Sequence, residues 1–181
     1  MRSHTDLSYQ PSQLAHTPDK PSSAHKRLEV FLGTWKADGI AAPNSPSPGR
    51  MRTEDTYEWL PGAGFFLVQR GHLQINDEKP TQHIWILGYD APNDTYFVNA
   101  FDGIGDYRIY RLSLHERTWM YSGEYERGTL TFGEDGRSFR AFWEQTKDGS
   151  NWEPLCDIKA VNVILQHPIG DKYVRVELRT A

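Results

Sequence analysis

The sequence predicts an all-β protein, an up-and-down antiparallel barrel of about ten strands with a short N-terminal helix. Turn-forming pairs such as Asp-Gly recur after Trp35, and the segments between them alternate apolar and polar residues. Glycine accepts the positive φ of tight hairpin turns, and no segment has the spacing of a long helix. Consecutive hairpins without crossover helices favour a closed barrel, which has no exposed sheet edges, over the alternative of a two-sheet sandwich.

The short helix is predicted where Leu28, Phe31 and Leu32 fall on one helical face, with Gly33 able to end it. The segments with strand-like alternation are 34–40, 51–60, 64–75, 80–90, 95–102, 106–114, 117–123, 128–133, 138–147, 151–162 and 172–179. Residues 1–23 are rich in Ser, Pro and Gln and predict an arm or linker. Residues 24–181 predict a single barrel domain.

The charge and cysteine content of the chain restrict its expected partners and cellular compartment. A net charge of −4 provides no basic field to hold phosphates, so nucleic acid is not an expected partner. The single cysteine, Cys156, excludes an intramolecular disulfide and is typical of a reducing compartment. The first 27 residues lack the apolar run of a signal peptide, and no membrane span is expected. We therefore expect a cytoplasmic protein without a membrane partner.

Several segments of the sequence resemble parts of a known protein family. Residues 25–35, HKRLEVFLGTW, resemble the opening of lipocalin-like (calycin) barrels, where a short helix leads into Gly-x-Trp on the first strand. Together with EWLPGAGF at 58–65, GYD at 88–90 and DGSNWE at 148–153, they resemble a bacterial lipocalin-like family catalogued as a domain of unknown function. The resemblance implies a barrel closed at the Trp end, with a ligand cavity and a long first loop, 41–49, over its mouth. It implies no catalytic residues.

Gly33-x-Trp35 is also similar to the haem-binding nitrobindins, whose pattern has Gly where Ala37 stands. No cofactor is expected. His167, before Pro168, is expected to lie in a loop. The Gly-x-Ser-x-Gly, His-Glu-x-x-His and Cys-x-x-Cys motifs of common hydrolase, zinc and redox sites are absent from the sequence.

Turn centres fix which residues face each other across a hairpin, and alternation fixes the face on which they lie. Centres at 62–63, 77–78, 92–93 and 104 predict the pairs Asp55–Arg70, Thr53–His72, His72–His83, His83–Asp102 and Ala100–Arg108. The predicted apolar lining is Tyr57, Trp59, Phe66, Val68, Trp85, Leu87, Tyr89, Tyr96, Val98, Tyr110, Leu112, Trp119 and Tyr121. The polar cluster predicted at the mouth is Asp55, Arg70, His72, His83, Asp102 and Arg108.

Aromatic walls with a charged mouth favour binding of a small, largely apolar molecule with a polar or acidic head, which Arg70 and Arg108 would hold. The predicted ligand-binding residues are Asp55, Tyr57, Trp59, Arg70, Trp85, Tyr89, Tyr96, Arg108, Tyr110 and Tyr121.

The alternative is a cofactor-independent acid/base enzyme of the isomerase, cyclase or hydratase type. In that enzyme His72 or His83 moves a proton and Asp102 orients the imidazole. The same two imidazoles and one carboxylate could instead form a metal site or only a polar mouth, and Asp55–Arg70 could be a structural ion pair. A dimeric interaction module with a fully packed barrel is the third class of function.

The other face of the third and fourth strands is predicted to be strongly apolar, with Phe65, Leu67, Leu73, Ile75, Ile84 and Ile86. Exposed apolar patches of this kind usually mark a partner surface. We expect a homodimer contact, the N-terminal arm or the short helix to cover it.

Overall fold

The computed structural model describes residues 20–169 and 172–177, with the side chains of residues 20–163. The chain opens with α1 (Ser23–Lys26) and a 3₁₀ turn (Arg27–Phe31), and a second 3₁₀ turn covers Ala91–Asn93. The strands are β1 (Gly33–Ala41), β2 (Gly49–Trp59), β3 (Phe66–Ile75), β4 (Thr81–Asp90), β5 (Thr95–Asp102), β6 (Tyr107–His115), β7 (Thr118–Ser122), β8 (Glu126–Phe132), β9 (Ser138–Thr146), β10 (Trp152–Ile169) and β11 (Lys172–Glu177).

The sheet closes into an antiparallel barrel of ten strands, which confirms the predicted fold class. Each strand pairs with the next, and β1 also pairs with β10. Beyond Ile164, β10 leaves β1 and forms a hairpin with β11. Because β10 runs past the predicted end at residue 162, His167 lies in a strand rather than in the predicted loop.

The barrel end that contains Trp35 is closed by the N-terminal helical segment. Phe31 is completely buried there, and its ring contacts those of Tyr57, Trp119 and Phe132 at centroid distances of 5.6, 5.3 and 5.3 Å. The indole N–H of Trp35 donates a hydrogen bond of 2.6 Å to the Phe31 carbonyl. The helical segment and the first strand are therefore joined by packing and by a buried polar contact.

The predicted pairing of β3 is wrong by one residue on both of its sides. Asp55 faces Gly71, not Arg70, and His83 also faces Gly71, not His72. The β2–β3 connection is centred on Ala63, with Gly62 and Gly64 at φ +136° and +81°, rather than between residues 62 and 63. Since side chains alternate along a strand, a shift of one residue exchanges the two faces of β3.

Consequently Arg70, His72, Phe66 and Val68 belong to the outer face of the barrel, although all four are predicted to line it. The inward residues of β3 are Leu67, Gln69, Gly71, Leu73 and Ile75.

The outer apolar surface differs accordingly from the predicted one. Leu67, Leu73 and Ile75 are inside, and the outer face of β3–β6 instead carries Phe66, Val68, Ile84, Ile86, Phe97, Phe101, Tyr107 and Ile109. Phe66 and Ile84 are 40% and 44% exposed. The short helix, one of the predicted covers, packs into the barrel end instead. A homodimer contact stays a prediction, and residues 1–19 of the predicted arm lie outside the described residues.

No helix in the described part of the chain is long and apolar enough to cross a membrane.

Candidate functional site

A cavity of about 450 Å³ occupies the barrel half opposite Trp35. Its wall is formed by inward residues of all ten barrel strands, mainly of β2–β6 on one side and of β8–β10 on the other. The loop between β1 and β2 contributes Ser45, Pro46 and Ser47, in agreement with its predicted place over the mouth. Six predicted ligand-binding residues line this cavity: Asp55, Tyr57, Trp85, Arg108, Tyr110 and Tyr121.

Four other predicted ligand-binding residues do not line it. Trp59, Tyr89 and Tyr96 pack with the core of the closed end, where the Tyr96 hydroxyl donates to the Ala24 carbonyl at 3.0 Å. Arg70 is exposed on the outer face, because of the shifted pairing of β3.

One polar cluster in the cavity wall is centred on Asp55. Its Oδ1 atom lies 2.7 Å from His83 Nε2 and accepts a hydrogen bond of 3.0 Å from Gln69 Nε2. Its Oδ2 atom accepts a hydrogen bond of 2.8 Å from the Thr53 hydroxyl. These side chains meet because Gly71, between Asp55 and His83 in the sheet, has no side chain to fill the space. An imidazole held by a carboxylate can bind a polar group or take up a proton.

A second polar cluster is centred on Arg108. Its guanidinium contacts Asp102 at 2.6 Å, Asp106 at 3.0 Å and Glu126 at 3.4 Å. The other oxygen of Glu126 accepts a hydrogen bond of 2.6 Å from the Tyr110 hydroxyl. The only arginine among the described cavity-lining residues is thus already bound by three carboxylates.

The predicted catalytic set is therefore divided. His83 and Asp102 are neighbours in the β4–β5 pairing, as predicted, but their side chains have different partners. Asp55, not Asp102, contacts the His83 imidazole, and Asp102 contacts Arg108. His72 is on the outer face. The predicted combination of His72, His83 and Asp102, as acid/base residues or metal ligands, is not brought together.

Aromatic side chains form the wall between the two clusters. Trp85, Tyr110, Tyr121 and Trp143 lie in a continuous group with ring centroids 5.2 to 6.3 Å apart. Trp143 stacks closely over Gly128, where a side chain would collide with the indole. The predicted lining does not include the wall on the β8–β10 side, which is formed by Glu126, Leu130, Phe139, Ala141, Trp143, Cys156 and Ile158. The alternation of apolar and polar residues along β8 and β9 is the sequence signal that indicates this wall.

Burial and nearby carboxylates shift the proton equilibria of several lining groups. Burial raises the pKa of Tyr110, and Glu126 raises it further. Burial raises the pKa of the Cys156 thiol to about 12, with added contributions from Glu126 and Asp157. Burial acts to lower the pKa of Arg108, but Glu126 and Asp102 outweigh it, so the pKa is raised.

A slot opens in the barrel wall beside the Arg108 cluster. Pairing of β6 with β7 begins at Arg111, so residues 107–110 have no strand partner on that side among the described residues. The slot lies between these residues and the turn at 123–126. The side chains that line both the slot and the main cavity, and so separate the two spaces, are Asp106, Arg108, Tyr110 and Glu126.

Residues 20–150 match the family described as Protein of unknown function (DUF1579). The chain belongs to this family.

Two solved structures are similar to the described chain. The DUF1579 barrel is similar to the crystal structure of Rv2717c from M. tuberculosis, with a TM-score of 0.61, 13% identity, and coverage of 78% of this chain and 98% of that one. It is also similar to the S-type phycobiliprotein lyase CPES from Guillardia theta, with a TM-score of 0.43, 8% identity, and coverage of 78% and 93%. No curated protein matches the sequence. The first similarity supports the barrel fold.

In this DUF1579 protein, Tyr110→Phe is expected to lower the free energy of unfolding by about 1.5 to 3 kcal/mol, the usual contribution of a hydrogen bond to a charged group. The substitution removes the donor to Glu126 but keeps the buried ring. Urea unfolding followed by tryptophan fluorescence measures the change.

The matched control is Tyr107→Phe on the outer face of the same strand, which removes an exposed hydrogen bond to Asn99. We expect it to change stability by less than about 0.5 kcal/mol. Equal effects of the two substitutions would contradict a structural role for the Tyr110–Glu126 bond.

Proposed function

We propose that the barrel binds a small, largely apolar molecule with a polar head. The observation that carries this proposal is a pair of buried polar atoms in the cavity wall. Gln69 Oε1 and Trp85 Nε1 are both buried and have no hydrogen-bond partner within the described chain. An unpaired buried polar group costs about 1 to 3 kcal/mol, so a bound group that pairs with either atom would be stabilised.

These two atoms indicate which hydrogen-bonding groups the polar head of the ligand would carry. The Gln69 oxygen needs a donor and the Trp85 N–H needs an acceptor, so a head that supplies either one would pair one of these two groups. The body would lie against the aromatic and aliphatic wall that includes Tyr121, Leu130 and Trp143. Burial of its apolar surface contributes about 25 cal/mol per Å².

Titration calorimetry with octanol, an apolar chain with a hydroxyl head, tests the proposal. We expect octanol to bind the wild-type protein and to lose affinity for Leu73→Trp, because Leu73 lines the cavity and a larger side chain would fill it. Gln74→Trp, the next residue on the outer face of β3, is the matched control and should bind octanol as the wild type does. No octanol binding, or equal binding by both variants, would contradict the proposal.

A second candidate, an acid/base enzyme, is favoured by the contact between Asp55 and His83 in the cavity wall. A carboxylate on one imidazole nitrogen orients the ring and leaves the other nitrogen to exchange a proton. An enzyme of this kind would convert a bound molecule, and His83→Gln would stop the conversion while octanol binding persists. Mass spectrometry of ligands incubated with the wild-type protein and this variant distinguishes catalysis from binding alone.

A further inference from the structure

We propose that the head of the bound molecule is a cation, specifically an organic amine bound as its ammonium ion. This inference rests on the proposed function, because it specifies the chemistry of a ligand in the same cavity. It replaces the acidic head expected from the sequence, which depended on Arg70 and Arg108.

The cavity has an excess of negative charge. The ionisable side chains that line it are Asp55, Glu78, Lys79, His83, Asp102, Asp106, Arg108 and Glu126. Glu78, Lys79 and Asp106 are exposed, which leaves three carboxylates inside, Asp55, Asp102 and Glu126, with one arginine and one histidine. Even with His83 protonated, the carboxylates exceed the cations. A ligand cation would reduce this imbalance, whereas a ligand anion would increase it.

Among the described residues, each cation inside the cavity already has a carboxylate partner, and Lys79 lies exposed at the rim. Arg70 lies on the outer face, and the Arg108 guanidinium already contacts three carboxylates. An anion at Arg108 would have to displace at least one of them. His83 is held by Asp55.

The Asp55 cluster provides acceptors for an ammonium ion. Asp55 Oδ1 is used by both His83 and Gln69, but Oδ2 is engaged only by the Thr53 hydroxyl among the described contacts, and a carboxylate oxygen can accept two hydrogen bonds. The unpaired Gln69 Oε1 belongs to the amide whose nitrogen bonds Asp55. A primary ammonium group has three donors, which is enough to pair with Asp55 Oδ2 and with Gln69 Oε1.

The aromatic wall favours the same ligand. The faces of tryptophan and tyrosine rings attract cations, and the attraction increases where water is excluded. Trp85, Tyr110, Tyr121 and Trp143 supply four such rings, and Trp85 is the neighbour of the Asp55 cluster through its contact with His83 at 6.0 Å. An alkyl chain attached to the ammonium group would bury its apolar surface against the same rings.

Proton equilibria of the lining groups are consistent with a negative potential. Burial is the largest cause of the raised pKa of Tyr57, Tyr110 and Cys156. Asp55 raises the pKa of Tyr57 further, and Glu126 raises the pKa of Tyr110 and of Cys156 further. In each case a carboxylate disfavours a new negative charge. A potential that opposes a tyrosinate or a thiolate also opposes a ligand carboxylate.

Calorimetry at neutral pH with octylamine, octanol and octanoate tests the inference, since these probes share one apolar chain and differ in head charge. We expect octylamine to bind about tenfold tighter than octanol, and octanoate about tenfold weaker than octanol. Octanoate binding as tightly as octylamine would overturn the cationic head while leaving the proposed function intact. Failure of all three to bind would overturn the proposed function itself.

Two variants test whether the negative charge of the cavity wall causes the preference for octylamine. Glu126→Gln removes a charge in the cavity wall but keeps an acceptor for the Tyr110 hydroxyl, and should lower the ratio of octylamine affinity to octanol affinity about fivefold. Glu54→Gln makes the same change on the outer face of β2, where Glu54 pairs with Lys36, and should leave this ratio unchanged. Octanol binding by each variant shows that its barrel is folded. If the ratio fell equally in both variants, or in neither, the inference would be overturned.

Discussion

Trp35→Ala is expected to lower the free energy of unfolding by about 3 to 5 kcal/mol, the usual range for removal of a large buried aromatic side chain. Trp35 is 1% exposed, and its ring contacts those of Phe132 and Phe139 at 5.7 and 4.9 Å. The substitution also removes the donor to the buried Phe31 carbonyl. Since domains of this size are stable by about 5 to 15 kcal/mol, the loss is a large fraction of the total. Urea unfolding measures it.

Two variants serve as comparisons for Trp35→Ala. Trp35→Phe keeps much of the packing but not the hydrogen bond, so we expect a smaller loss than for Trp35→Ala. Trp152→Ala removes a half-buried tryptophan that stacks with Arg127 at 4.4 Å, and should cost less than about 1.5 kcal/mol. If Trp35→Ala and Trp152→Ala cost the same, the Trp35 end would not be the centre of the core.

Gly71→Ala is expected to abolish binding of the cavity probes and to lower stability by about 1 to 3 kcal/mol, the usual cost of overpacking. A Cβ at this position would collide with Asp55 Oδ1 and lie 2.6 Å from the Glu54 carbonyl oxygen. Asp55 would have to move away from His83 and Gln69, or β2 and β3 would have to separate. Calorimetry with octanol and octylamine, and urea unfolding, measure the two effects.

The control is Arg70→Ala on the same strand, which removes an exposed side chain from the outer face. We expect it to leave the affinity for both probes unchanged. A Gly71→Ala protein with wild-type affinity would show that the position of Asp55 does not determine binding. Loss of affinity in Arg70→Ala would instead support the pairing predicted from the sequence.

The order of the strands could be predicted because each turn has a local sequence signal. The β4–β5 and β5–β6 pairings also follow from these turns, which is why His83–Asp102 and Ala100–Arg108 are confirmed neighbours. The β2–β3 turn contains glycines at both 62 and 64, which allows more than one centre. Local turn signals therefore do not determine that register.

Two features of β3 argue for the observed register. Leu67, Leu73 and Ile75 form a more apolar inward face than the alternative that includes Arg70 and His72. A glycine inside a strand, such as Gly71, often marks close approach of another group, here the Asp55 carboxylate. Which polar side chains then bond one another depends on rotamers in the closed barrel, which alternation does not specify.

The slot beside β6 would affect how fast the proposed ligand enters and leaves the cavity. Residues 107–110 share no ladder with β7, so passage through the wall there breaks no main-chain pairing. Among the described residues, the side chains of Asp106, Arg108, Tyr110 and Glu126 stand between the slot and the cavity. Rotamer changes of such groups are far quicker than separation of strands, so residence time by this route depends on ion-pair lifetimes and falls as ionic strength increases.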